Sequence, residues 1–113
     1  MNDLQLLKEL ISKGENFSKD LHTKPIVHIN AHRIREKNQR YLTDLIEWKT
    51  TAIQVLKTCS LAESSSYLKD FENEINKTTE MSGEFYKENV SSATGVLKSL
   101  LFFVEKDEKR RSN

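Results

Sequence analysis

The stretch YLTDLIEWKTTAIQVL, residues 41–56, decides the fold of this 113-residue chain. At about 100° per residue, its apolar positions recur on one face of a helix, as expected for a helix packed against a core. The residues of that face are Tyr41, Leu45, Trp48, Ala52, Val55 and Leu56, widened by Leu42, Ile46 and Ile53. Lys49 lies inside the apolar half, so we expect its ammonium group to reach water along its aliphatic stem. The pattern predicts a helix with neighbours on two sides and places the only tryptophan, Trp48, in the core.

Length and composition restrict the class of protein. A chain of 113 residues fits one domain with a single core, which we expect at residues 1–106 with a polar tail at 107–113. Charged residues make up 31% and the net charge is +1, which argues against a global attraction to nucleic acid or membrane. The single cysteine, Cys59, excludes an intramolecular disulfide, and neither a signal peptide nor a membrane-spanning run is visible. We therefore expect a cytoplasmic protein.

Other amphipathic segments flank the central stretch, and no strand alternation is visible. The pattern predicts helices at about Asp3–Leu21, Glu36–Thr58, Ser65–Asn76 and Glu84–Lys106. Between the first two, residues 22–34 contain Pro25, which disfavours helix at the preceding residue and indicates an extended crossing. The other connections are short and favour antiparallel neighbours. The sequence therefore predicts an all-α, up-down four-helix bundle with a longer, proline-containing first connection.

Residues that carry chemistry are few. His28 and His32 would share a face at i, i+4 if that part were helical, but a catalytic zinc site needs a third ligand and the sequence has no HExxH motif. Cys59 continues the apolar face of the central helix, which indicates a buried structural thiol. No GxSxG motif and no glycine-rich phosphate loop is present. We therefore predict no catalytic residues, no cofactor and no metal, hence no enzyme.

The segment at residues 22–40 is locally basic. Its cationic residues face only Glu36 and are Lys24, Arg33, Arg35, Lys37 and Arg40. Such a patch can contact phosphates, but no aromatic residues alternate with it, so we expect at most weak, non-specific nucleic-acid binding. An alternative is that it complements the acidic stretch between Glu63 and Glu88 within or between protomers.

The last predicted helix carries more apolar surface than one bundle face requires. Its core stripe comprises Tyr86, Val90, Ala93, Leu97, Leu100, Leu101 and Val104. Outside that stripe lie the four residues of a candidate interface, which are Phe85, Val96, Phe102 and Phe103. The small residues Ser92, Gly95 and Ser99 lie beside them, an arrangement that suits a partner helix from a second copy or from another protein. The alternative is that the core stripe is simply wide, or that the Pro25 connection covers these residues.

Four amphipathic stretches stand out along the chain: LLKELISKGENF (6–17), YLTDLIEWKTTAIQVLK (41–57), SSYLKDFENEI (65–75) and ATGVLKSLLFFVEK (93–106). Together they resemble a helical domain found in bacterial anti-phage and abortive-infection proteins. In those proteins the domain precedes an effector, such as a TIR-like or nucleotide-binding domain. No effector follows here, so the resemblance implies either an excised module or a free-standing relative that works purely by interaction. It supplies no catalytic residues.

We therefore expect a non-catalytic interaction or accessory domain that acts through protein contacts or self-association in defence against phage. The alternative is a small regulator encoded by a phage or mobile element, which binds another macromolecule, including nucleic acid, through residues 22–40.

Overall fold

The computed structural model describes residues 3–21, 38–58, 64–76 and 86–112. Within these ranges it contains four α-helices and no strand. They are α1 (Asp3–Asp20), α2 (Leu42–Thr58), α3 (Ser64–Asn76) and α4 (Lys87–Ser112). The predicted all-α class is confirmed. Pro25 and the rest of the first connection lie outside the described residues.

The helices form a closed ring in which each packs against two neighbours. Helix α1 contacts α2 and α4, and α3 contacts α2 and α4. On α1 and α4, the ion pairs Lys8–Glu105 and Glu15–Lys98 show that the two helices run antiparallel. Helices α3 and α4 are also antiparallel, because Asn89 near the start of α4 bonds to Glu74 near the end of α3. The arrangement is the predicted up-down bundle.

The core fills the centre of this ring with one apolar face from each helix. Its members are Leu7, Leu10, Ile11, Leu21, Leu45, Trp48, Ala52, Val55, Leu56, Phe71, Ile75, Val90, Ala93, Leu97, Leu100 and Val104. These include most residues of the apolar faces predicted for α2 and α4. Tyr41 and Leu42 are partly buried against the core. Ile46 differs from the prediction because 49% of it is exposed, so the α2 face that is actually covered is narrower than half the helix.

Trp48 connects three helices at the centre of the bundle and is only 3% exposed. Its ring meets Phe17 of α1 edge to face at 6.2 Å between centroids, and Phe71 of α3 in a tilted contact at 5.6 Å. The indole Nε1–H donates to the carbonyl oxygen of Leu10 at 2.9 Å, which satisfies its polar atom inside the core. The predicted core position of Trp48 is confirmed.

At Gly14, α1 approaches both α2 and α4 closely. A Cβ atom at this position would overlap Oγ1 of Thr94 and lie 2.9 Å from Cζ2 of Trp48. Thr94 is buried, and its hydroxyl donates to the carbonyl oxygen of Val90 at 2.6 Å. The absence of a side chain on Gly14 therefore lets two other helices reach the backbone of α1.

Two helix ends differ from the prediction. Helix α2 begins at Leu42 because a turn interrupts the backbone at Arg40 and Tyr41, where the N–H of Tyr41 bonds to the carbonyl of Asn38 at 3.1 Å. Helix α4 was expected to end at Lys106 but continues to Ser112. The extension contains neither glycine nor proline and is rich in strong helix formers, so nothing in its sequence stops the helix. The division into a domain at 1–106 and a tail at 107–113 stays a prediction.

Candidate interaction surface

The four residues of the candidate interface fall into three different environments. Val96 is partly buried and packs against the core. Phe103 is 36% exposed, and Phe102 is 70% exposed. Phe85 lies outside the described residues. The structure thus separates Val96, which belongs with the core, from the two phenylalanines that reach the surface.

Phe102 and Phe103 line a groove between α3 and α4, which we call the α3–α4 groove. Its volume is about 440 Å³, and its walls are Tyr67 of α3 and Lys98, Ser99, Phe102, Phe103 and Lys106 of α4. Three aromatic side chains thus lie beside two lysines, with no carboxylate in the lining. Apolar rings at the centre with charged groups at the rim are the usual composition of a protein-binding surface.

Along its centre, the side of α4 that points away from the bundle carries only small side chains from Ser91 to Ser99. We call the central row of outward residues from 88 to 106 the outer face of α4: Glu88, Ser91, Ser92, Gly95, Ser99, Phe102 and Lys106. The exposed residues Lys98 and Glu105, which pair with α1, and Phe103 of the α3–α4 groove flank this row. A Cβ atom added to Gly95 would meet nothing within 4 Å, so this position is open to the outside. Phe102 therefore projects beyond the small side chains that precede it on the outer face of α4.

A second groove lies between α1 and α2 and is better explained by packing. It measures about 310 Å³ and is lined by Leu10, Lys13, Phe17, Asp44, Glu47, Trp48 and Thr51. The indole N–H of Trp48 already donates to Leu10. At the rim, Lys13 of α1 faces the carboxylate-bearing side of α2. The indole N–H is therefore not available to a ligand in this groove.

Most of the basic segment and all three histidines lie outside the described residues. Of Lys24, Arg33, Arg35, Lys37 and Arg40, the structure describes only Arg40, which is exposed. Cys59 also lies outside. Among the described residues, no group of three or more His, Cys, Asp or Glu side chains is placed to hold a metal ion. None of the described helices combines the length and the apolar character needed to cross a membrane.

Comparison of the chain with protein-family models, with curated proteins and with solved structures gave no match. Arguments about function therefore depend on the residues themselves.

Sequence periodicity alone overlooks two features of the site. Tyr67 reads as part of the core face of α3, yet it also forms a wall of the α3–α4 groove. Lys98 and Lys106 flank the phenylalanines, and their spacing of eight residues, slightly more than two turns, is the signal that would have placed them on the same side of α4.

Proposed function

We propose that this chain is a non-catalytic interaction domain that binds another protein chain through the exposed phenylalanines of α4. The observation that carries the proposal is the 70% exposure of Phe102 beside the aromatic α3–α4 groove. A large apolar side chain held out on a regular helix loses contact with water when a partner covers it, which favours association. Lys106 at the edge of the groove favours a partner with an acidic or polar group there.

The resemblance of four stretches to helical domains of anti-phage proteins supports a role in bacterial defence. The single cysteine supports a reducing compartment, so we place the protein in the cytoplasm. In this role the domain positions or senses on behalf of an effector and performs no chemistry itself. Genes beside the one for this chain discriminate it from the alternative, because an effector gene supports defence and a phage early region supports a phage-encoded regulator.

A photo-crosslinking residue at position 102 tests the interaction in living cells. We expect a discrete protein adduct from position 102, because the side chain there would lie inside the interface. The matched control is the same residue at position 46, since Ile46 is also a half-exposed apolar residue but lies on α2, which does not neighbour α4 in the ring. The absence of any adduct at 102, or equal adducts at both positions, would contradict the proposal.

Phage challenge tests the defence role. Cells that express the chain with its neighbouring genes are expected to lose protection with Phe102→Asp and to keep it with Ile46→Asp. Both variants should retain the helical circular dichroism of the wild type, because both side chains are exposed. Unchanged plaque formation with and without the wild-type chain over a broad phage panel would remove the defence role and leave the interaction role to the crosslinking result.

A further inference from the structure

The outer face of α4 is complementary to itself when a second copy runs in the opposite direction. Its first half carries the small residues Ser91, Ser92 and Gly95, and its second half carries the projecting Phe102. We propose that a second copy of this chain binds here, with the two α4 helices antiparallel and each Phe102 ring over Gly95 of the other copy. This inference rests on the proposed function, because it names the partner of the same surface.

Shape supports this occupant. Gly95 and Phe102 are seven residues apart, about two turns, so they lie on nearly the same line along α4. A two-fold axis between residues 98 and 99 exchanges the two positions, so each copy supplies one ring and one open site. Because an added Cβ atom at Gly95 would meet nothing within 4 Å, this site has room for the ring. Small residues around it let two helix axes approach to the short end of the usual range of about 8–10 Å.

Charge supports the antiparallel direction. Glu88 and Lys106, both exposed, are 18 residues apart, which is about five full turns, so they lie on one line of α4. A two-fold axis perpendicular to the helices keeps each flank on its own side. With the axis between residues 98 and 99, Lys106 lies level with Ser91 of the second copy, about 4.5 Å along the helix from Glu88, which two long side chains span. The contact occurs twice. In a parallel pair, Lys106 would instead face Lys106, and the two phenylalanines would compete for one place.

Lys98, the other lysine of the α3–α4 groove, does not oppose this pairing. Its side chain lines the groove, but its Nζ atom reaches toward α1 and is 3.0 Å from Oε1 of Glu15 in the same chain. The two copies of Lys98 that meet near the two-fold axis therefore arrive with their charges compensated. Because one pair of helices covers less than a standard interface of about 1,600 Å², we expect a weak, reversible dimer.

Sedimentation equilibrium of the purified chain, from micromolar to millimolar concentration, tests the proposal. We expect the wild type and Ile46→Asp to dimerise alike, and Gly95→Leu to stay monomeric because its side chain occupies the place of the incoming ring. Lys106→Glu and Glu88→Lys should each weaken the dimer at least tenfold, because each creates like charges. The combination of both substitutions in one chain should restore it, since every pair is then opposite in sign again.

A wild type that stays monomeric at millimolar concentration, or a dimer that Gly95→Leu leaves intact, overturns the proposal. A dimer weakened by both single charge substitutions but not restored by their combination overturns the antiparallel register. Circular dichroism shows whether each variant is folded. If the wild type is monomeric but position 102 still yields an adduct with another protein in cells, self-association fails and the proposed function stands. If the pure chain dimerises as described and position 102 yields in cells only an adduct between two copies, the second copy is the partner and the role on behalf of an effector fails.

Discussion

At the scale of single residues, the two described glycines, which both lie within helices, have opposite surroundings. Gly14 in α1 faces Thr94 and Trp48 so closely that a methyl group would overlap the threonine hydroxyl. Gly95 in α4 faces open space. Both weaken their helices by about 1 kcal/mol relative to alanine, because glycine loses more backbone freedom on folding. Only at Gly14 does packing offset this loss of stability, because the missing side chain lets three helices pack closely together.

We predict that Gly14→Ala lowers the free energy of unfolding by up to about 2 kcal/mol. Inserting a methyl group into a packed core costs about 1–3 kcal/mol, and the gain in helix propensity of about 1 kcal/mol offsets only part of it. Urea unfolding measures the change. Gly95→Ala is the matched control and should stabilise the chain by about 0.5–1 kcal/mol. Equal stabilisation by both substitutions would contradict the close approach at Gly14.

Removing the obstructing atoms provides a second check on the same contact. Thr94→Ala deletes Oγ1, the atom nearest the added methyl group, together with Cγ2 at 3.1 Å, and leaves Cζ2 of Trp48 at 2.9 Å. The double variant Gly14→Ala with Thr94→Ala should therefore lose less stability than the sum of the two single variants. Strict additivity would indicate that the two residues do not meet.

Individual residues also show what the sequence could and could not predict. The burial of Trp48 and Leu45 followed from helical period alone, because a wheel identifies which positions share a face. Ile46 was wrongly included in the covered face, because a helical wheel does not show how much of an apolar face the neighbouring helices cover. Lys49 was predicted to reach outward, and it does, but its partner Asn76 Oδ1 at 2.9 Å is 27 positions away in the chain. Such contacts depend on tertiary packing, which periodicity does not contain.

At the scale of elements, the end of α3 is held by a residue from the start of α4. Asn89 is almost fully buried, and its Nδ2 atom donates to the carbonyl oxygen of Glu74 at 3.3 Å. Glu74 lies within the last four residues of α3, whose carbonyls lack partners inside their own helix. The bond therefore satisfies a helix end and fixes α3 against α4.

We predict that Asn89→Ala costs about 1–3 kcal/mol of stability, since it leaves a partly buried carbonyl without its donor and empties a buried position. Thermal and urea unfolding measure the loss. The control is Asn73→Ala, an exposed asparagine of α3, which should change stability by less than about 0.5 kcal/mol. If both substitutions have the same small effect, Asn89 does not stabilise the end of α3.

The candidate site was predictable to the extent that it lies on one helix. The stripes of α4 follow from its own sequence, so Phe102 and Phe103 could be named as surface candidates beside Gly95. Val96 was grouped with them, but it packs against the core. The groove wall contributed by Tyr67 could not be predicted, because it depends on how far α3 is displaced along α4. The start of α2 was missed for a different reason, because the turn at Arg40 involves no glycine or proline. The end of α4 was placed too early although residues 107–112 contain no helix breaker.

At the scale of the whole molecule, apolar packing stabilises the ring of helices, and the two ion pairs between α1 and α4 add little. Lys98 and Glu15 are 3.0 Å apart, Lys8 and Glu105 are 3.9 Å apart, and these side chains are about half exposed. Water and salt screen such pairs, and holding long side chains in place costs entropy. The antiparallel pairing of α1 with α4 therefore follows from their apolar faces.

We predict that the double variant Lys8→Gln with Lys98→Gln loses less than about 1 kcal/mol of stability. The control is Lys57→Gln with Lys69→Gln, which removes the same charge from two other exposed lysines. Urea unfolding at low ionic strength, where surface charges act most strongly, gives the comparison. A loss above about 2 kcal/mol for the first pair alone would mean that these ion pairs hold the ring closed.

The ring closes between the first helix and the last, and this has a consequence for the nascent chain. The 66 residues between Asp20 and Lys87 must be translated before α4 even begins. At about 5–20 residues per second, the ribosome needs several seconds for that stretch. Throughout this delay the backbone at Gly14 and the apolar face of α1 are not covered by α4. Helix α1 therefore stays accessible to proteases and chaperones until α4 has left the exit tunnel and packed against it.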